Sequence, residues 1–458
     1  LRLLNERGMH VFICSNSWLD VGYGAWLQEF LLRGAVLHYV FDNHARRSFA
    51  NADINTVITV IGAPGFAKAT RKGVDQYARF VAFKRPFEEV ILAENLVALE
   101  TQQSIELNDA YRIYPISVAD LLAEGSETEG EGVRAVSKYV GDKWGGKYLR
   151  APDIYFTLIV RGNKYLDTPG NYLEGERYLN TGGADGFFVI SKFALNGDGD
   201  TYQVIQDTFT GHIEHRYLRP LIKDVTRKER HIKLENYDAL CLVVQDSARS
   251  LSMRLKEYIK WGESQGFHKR SVTKTQRPWY KPTRQMLHGA EIILPRSFND
   301  TFAVHHNPSK ILSLRFYRLH PKNGGQTVEI VAFLNSTPFW LFFETLGNKN
   351  LGQGALDFFM ADFLRMRIPV VLDHRAALRL EILSRRPIKP IFDECGLNPH
   401  SGTPLLQQEP APLPDRKALD DIVFDALGLS EEERKQVYRA VCQLVWERIS
   451  KAKSVTRN

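Results

Sequence analysis

MHVFICS (Met9–Ser15), YGAWLQEFLL (Tyr23–Leu32), AVLHYVF (Ala35–Phe41) and TVITVI (Thr56–Ile61) follow one another closely along the chain. The first is an apolar run of strand length, of the kind buried on both faces of a sheet. The second repeats apolar residues at helical spacing, Trp26 with Phe30 and Leu27 with Leu31. The third and fourth are rich in β-branched and aromatic residues and read as strands. Strand, helix, strand, strand in this order predicts one half of a doubly wound α/β sheet. The loop Asp42–Asn55 between the last two strands carries His44, Arg46, Arg47, Phe49 and Asp53.

Upstream, LRLLNERG (Leu1–Gly8) reads as the last turns of a helix stopped by Gly8, so the chain is expected to be the C-terminal part of a longer protein. Downstream, Ala63–Ala123 reads as mostly helical. EGSETEGEG (Glu124–Gly132) reads as an exposed acidic linker. Short strands, short helices and turns are expected from about 133 to 370. Pro387–Pro414, with seven prolines, reads as an extended linker. Ser430-Glu-Glu-Glu433 is a capping box that opens a helix running to about Lys453, whose apolar stripe is Val437, Val441, Leu444, Val445 and Ile449.

The chain has 458 residues, 44% hydrophobic and 25% charged, which is enough apolar surface for real cores and excludes a wholly disordered chain. Lys and Arg total 60 against 53 Asp and Glu, a surplus of +7 that is mild over this length but compatible with a polyanion partner. Cys14, Cys241, Cys395 and Cys442 lie far apart, with no CxxC and no zinc-ligand spacing. They fit reduced thiols in a cytoplasmic protein. No apolar run reaches membrane-spanning length, so no membrane partner is expected. No metal is implied.

Gly22-Tyr-Gly24, with Asp42 after the next strand, superficially matches a dinucleotide fingerprint. Six residues separate the strand from Gly22, and Leu27 holds the third glycine position, so these glycines read as structural. HKRSVTKTQRPWYKPTRQMLH (His268–His288) is the strongest physical signal. No acidic residue occurs between Glu263 and Glu291, while Lys269, Arg270, Lys274, Arg277, Lys281 and Arg284 supply six positive charges. Phe267, Trp279 and Tyr280 are interleaved. Such a segment can neutralise phosphates and present flat faces and Arg forks to bases, or be a solvated basic surface. Arg216–Lys233 is a second basic stretch, diluted by Asp224 and Glu229, that reads as a solvated face. From composition alone, Phe49 is a core plug or a base-stacking loop aromatic.

The order of these features resembles adenine-specific DNA methyltransferases of the Taq-type, type IIG restriction-modification and phage-exclusion families. VFICSNSWL (Val11–Leu19), Glu29–Leu32 and NTVITVI (Asn55–Ile61) resemble the end of their catalytic domain. Arg161-Gly162, LNTGGADGFF (Leu179–Phe188), IEHRYLRPLIK (Ile213–Lys223), Pro278-Trp279-Tyr280, ILPRSF (Ile293–Phe298), AFLNSTPFWLFF (Ala332–Phe343), GQGALD (Gly352–Asp357) and Arg367-Ile-Pro369 resemble successive parts of their target-recognition domain. The family's cofactor glycine motif and Asn-Pro-Pro-Tyr motif do not occur here; Asn307-Pro308 and Asn398-Pro399 lack the second proline and the aromatic.

The resemblance implies a partial doubly wound, Rossmann-like methyltransferase sheet over 1–65 and a helical connector over 66–132. A mixed α/β target-recognition domain over 133–370, a Pro-rich linker over 371–414 and a helical segment over 415–458 would come after them. It implies methyl transfer from S-adenosylmethionine, whose main binding motif lies upstream of residue 1, to the exocyclic amine of an adenine flipped from double-stranded DNA. Phe49 would stack on that base. Arg46 and Arg47 would meet nearby phosphates, and Lys269–Arg284 would contact DNA, with Arg277 or Arg284 reading guanine. Thr181 and Asp185 would sit in a loop at the DNA face. The partner needed for catalysis is the missing N-terminal region or a separate catalytic chain. A specificity module without chemistry fits the same residues.

Overall fold

The computed structural model describes residues 1–458 apart from positions 2, 21, 44–55, 64–75, 130–135, 192–194, 224–228, 349–353 and 456–458. It is a mixed α/β structure of two compact units, Leu1–Thr157 and Leu158–Asn458. Among the described residues no helix is long and apolar enough to cross a membrane.

The first unit is built on a six-stranded sheet. Its elements are β1 (Met9–Ser15), α1 (Gly24–Gly34), β2 (Val36–Asn43), β3 (Thr56–Gly62), β4 (Tyr77–Phe83), β5 (Glu106–Leu107) and β6 (Tyr111–Ser117). The strand order is β1-β3-β2-β4-β6-β5. β3 returns antiparallel between β1 and β2, in register from Met9 opposite Gly62 to Ser15 opposite Thr56. Among the described strands of this sheet only β2 and β4 pair in parallel. The strands and α1 form where the periodicity places them, but the sheet is mixed rather than uniformly parallel. Alternation along β4 sends Phe80 to one layer, with Trp18, Leu37, Val40 and Trp144, and Val81 and Phe83 to the other, with Val90, Leu99 and Ile113.

Four expectations are corrected here. The described residues among 1–8 make short turns, Leu4 N–H to Leu1 C=O at 3.1 Å and Gly8 N–H to Asn5 C=O at 2.9 Å, not a helix end. β1 is not buried on both faces. It is the edge strand, and Val11 and Phe12 are 63% and 54% exposed. The segment 66–132 is not a helical connector, since β4, β5 and β6 extend the same sheet. The acidic stretch after Glu124 is not a linker: β7 (Ser126–Glu129) pairs antiparallel with β8 (Val136–Tyr139).

Among the described residues the second unit has three sheets of three or four strands and two two-stranded ribbons. Its principal strands are β9 (Leu173–Glu176), β10 (Val189–Ser191), β11 (Leu195–Asp198), β12 (Thr201–Gln206), β13 (Phe209–Glu214), β14 (Leu218–Ile222), β15 (Ala239–Leu242), β16 (Ile292–Pro295), β17 (His305–His306), β18 (Leu312–Ser313) and β19 (Phe316–Pro321). They are ordered β9-β19-β16-β17, β10-β15-β14-β18 and β11-β12-β13. Helix α2 (Met253–Ser264) packs on β13 through Tyr258 and Trp261, whose rings lie 4.9 and 5.6 Å from Phe209.

A helical layer completes the unit: α3 (Thr327–Leu334), α4 (Thr337–Leu346), α5 (Arg375–Leu383), α6 (Pro414–Leu427) and α7 (Glu431–Val455). The capping box of α7 forms as read, Ser430 N–H to Glu433 Oε2 at 2.7 Å and Glu433 N–H to Ser430 Oγ at 3.3 Å. The expected linker 371–414 is instead packed structure, because its apolar residues Ile391, Cys395, Leu397 and Leu405 are buried. Glu394, also buried, binds Arg230, Arg386 and Arg416.

Candidate nucleic-acid interface

The basic segment leaves α2 through Gly266, whose φ of +76° turns the chain back on the helix end. Two single turns, Phe267–Lys269 and Thr273–Thr275, shape the chain beyond that glycine. Thr273 is fully buried and its hydroxyl donates to the Phe267 and Arg270 carbonyls, tying the turns together. The aromatics face inward. Trp279 lies 4.5 Å from Phe187 between ring centroids and donates from Nε1 to Glu263 Oε1 at 3.0 Å. Phe267 packs on the same Phe187, and Tyr280 is buried. These rings anchor the segment on the core; Tyr280 is buried and has no face for a base, while Phe267 and Trp279 stay half-buried.

The cations do the opposite. Lys269, Arg270, Lys274, Arg277, Lys281 and Arg284 are all exposed. Among the described residues none of the six forms an ion pair. Arg277 donates only to the Lys274 and Gln276 carbonyls, at 3.0 and 2.8 Å. Six unneutralised charges on a segment pinned by its aromatics form a surface that can take several phosphates.

The turn holding Thr181 and Asp185 lies directly against this segment. Ser271 Oγ donates to the Gly182 carbonyl at 3.0 Å. Gly182 and Gly183 have φ of +64° and +91°, and a side chain at Gly182 would meet Val272. Thr181 is buried and donates its hydroxyl to Asp185 Oδ1. Asp185 Oδ2 pairs with Arg315 at 3.0 Å. Thr181 therefore shapes the turn and presents no surface of its own. Among the described residues of the second basic stretch, Arg216, Arg219, Lys223 and Lys233 are exposed as a solvated face requires, whereas Arg230 is wholly buried against Glu394. Arg46, Arg47 and Phe49 lie outside the described residues. β2 and β3, which flank them, pair directly up to Asp42 opposite Val57.

Sequence reasoning missed the far end of the segment. Arg318 on β19 is buried, donates to the Gln285 carbonyl at 3.1 Å and to the His288 carbonyl, and pairs with Glu176 at 3.0 Å. His320 Nε2 lies 3.5 Å from the same carboxylate oxygen. Burial lowers the Arg318 pKa, and the Glu176 charge works against that. A cavity of about 640 Å3 opens here. The only signal in the sequence was the alternation Glu174-Gly-Glu176 and Arg318-Leu-His320, which puts each pair on one face of a strand.

Residues 143–387, more than half of the chain, match the family model of the type II methyltransferase M.Eco57I, C-terminal domain. The chain belongs to this methyltransferase family. The match includes the basic segment, the Thr181–Asp185 turn and the cavity. No curated protein matches the chain. Among solved structures, it is similar to the type IIG restriction endonuclease BpuSI, at 13% identity and a TM-score of 0.43, over 98% of this chain and 48% of that one. The type IIL restriction-modification enzyme MmeI, solved in complex with DNA, aligns at 13% identity and a TM-score of 0.37, over 98% of this chain and 50% of that one. The chain spans about half the length of either.

Methyltransferases of this family use S-adenosylmethionine. Of the glycines nearest a cofactor turn, Gly22 stands in open space and Gly24 is taken up by packing. A side chain at Gly24 would collide with the Trp18 carbonyl, so this glycine serves the packing of α1.

Proposed function

We propose that this chain recognises double-stranded DNA and presents an adenine for methylation of its exocyclic amine by an S-adenosylmethionine-dependent region, upstream or on a separate chain, within a restriction-modification or phage-defence system. The observation that carries this reading is the run of six exposed, unpaired cations from Lys269 to Arg284. Phe49 stacks on the extruded base in this reading, with Arg46 and Arg47 on flanking phosphates. The exposed edge of β1 is where the catalytic region would continue the sheet. Its place of work is the cytoplasm, in keeping with four free cysteines.

The test is duplex binding across a salt series. Six phosphate contacts give a slope of log K against log salt of about −5, which is roughly a thousandfold loss between 50 and 200 mM. Replacing Lys269, Arg270 and Arg277 together by Glu should flatten that slope by about three. Binding that ignores both salt and the triple change would defeat the proposal. Adding the upstream region and S-adenosylmethionine then tests methyl transfer, with Phe49→Ala expected to slow it.

A further inference from the structure

The cavity at the end of the basic segment has a floor and a wall of different chemistry. β9 and β19 pair antiparallel, with Glu174 opposite His320 and Glu176 opposite Arg318. Residues two apart on a strand share a face, so all four line the floor. Arg284, His288 and Lys310 form the wall.

Most of these charges are already committed. Arg318 and His320 share the Glu176 carboxylate, and Lys310 pairs with Glu291 at 2.6 Å. Two groups remain. Arg284 and Glu174 are exposed, and neither has an ion-pair partner among the described residues. The cavity thus offers one free guanidinium fork and one free carboxylate.

That combination selects its ligand. The free Glu174 carboxylate disfavours a phosphate beside it, and the free Arg284 guanidinium repels a cation. A group with adjacent acceptors and a donor satisfies both. The major-groove edge of a G·C pair has this pattern: guanine O6 and N7 accept from an arginine, and the cytosine N4 amine donates to a carboxylate. An A·T pair offers a weaker match, because adenine presents one acceptor beside a donor and suits an amide side chain.

We infer that this cavity reads a G·C pair, with Arg284 on the guanine and Glu174 on the cytosine. The inference rests on the DNA-binding reading above and adds what is recognised. Arg318 is the positioning residue: its bonds to the Gln285 and His288 carbonyls fix the turn that carries Arg284.

The experiment selects bound sequences from a randomised duplex library with the whole chain, its Arg284→Ala and Glu174→Gln variants, and Lys269→Ala as a phosphate-contact control. The changed side chains are exposed, so folding should be kept, and circular dichroism checks it. The wild type should enrich a G·C pair at one position. Arg284→Ala and Glu174→Gln should each reduce that preference by about tenfold at the same position, and Lys269→Ala should weaken all sequences alike. If both cavity variants weaken all sequences alike, or the preference survives both, the cavity inference falls while the DNA reading stands. If the wild type binds no duplex, both fall.

Discussion

Glu394 is 2% exposed and meets Arg230 at 2.9 Å, Arg386 at 2.7 Å and Arg416 at 3.1 Å. Burial alone would raise its pKa. The hydrogen bonds from Arg386 and the charges of Arg416 and Arg230 outweigh that and hold it well below the usual carboxylate range. Burial, reinforced by Arg416, pulls Arg230 down to about 10. Glu394→Gln leaves three guanidinium groups around a neutral amide, which should cost about 3–5 kcal/mol in urea unfolding. A loss under about 1 kcal/mol would show that the cluster is not held by charge. Because its folded pKa is depressed, Glu394 gives stability that is complete above the unfolded carboxylate pKa and disappears as the pH falls through the depressed value. His305 adds a second acid-sensitive contribution. It is fully buried, its Nδ1–H donates to the Glu229 carbonyl at 2.7 Å, and burial lowers its pKa to about 4. The unfolded ring takes its proton near pH 6.5, so stability should fall on the order of 2 kcal/mol between pH 7.5 and pH 5. The slope should be smaller in His305→Phe, whatever that variant's absolute stability; an unchanged slope would remove His305 as its source.

Elements divide by how local their causes are. α1, β2, β3 and α7 were legible because periodicity and caps are written within each segment. The exposure of β1 was not, since it arises from β3 returning between β1 and β2, a choice of strand order that no single strand encodes. Nor was the packing of residues 371–414: the prolines read as a linker, but Glu394 finds Arg230 from a distant part of the chain. The site shows the same division. Six cations without an acid are visible as a string. That Trp279 and Tyr280 turn inward depends on Phe187, far upstream, and the cavity floor needs β9 beside β19. This anchoring makes a prediction for the element as a whole. Trp279→Ala removes no charge, yet should loosen the segment from Phe187 and Glu263. Duplex affinity should drop several-fold, and proteolysis within 268–288 should quicken, as the ordering of the segment must then be paid for on binding. Unchanged affinity with faster proteolysis would mean the cations act without a fixed frame.

For the whole molecule, the net surplus of +7 is small, and the local excess of six on one segment matters more for a polyanion than the total. The other large-scale feature is apolar. β1 pairs only with β3 among the described residues, and Val11, Phe12 and Ile13 are 63%, 54% and 39% exposed. An unpaired edge bearing apolar side chains on both faces is a template for another strand. Under the proposed function, the occupant of this edge is the S-adenosylmethionine-dependent catalytic region. Adding that region should slow backbone amide exchange along Met9–Ser15. Val11→Lys with Phe12→Lys should abolish the slowing and the association. The lone chain should lose little stability, because both side chains are already mostly in water. If methyl transfer is restored while β1 exchange stays fast, the catalytic region docks elsewhere and the edge has another occupant.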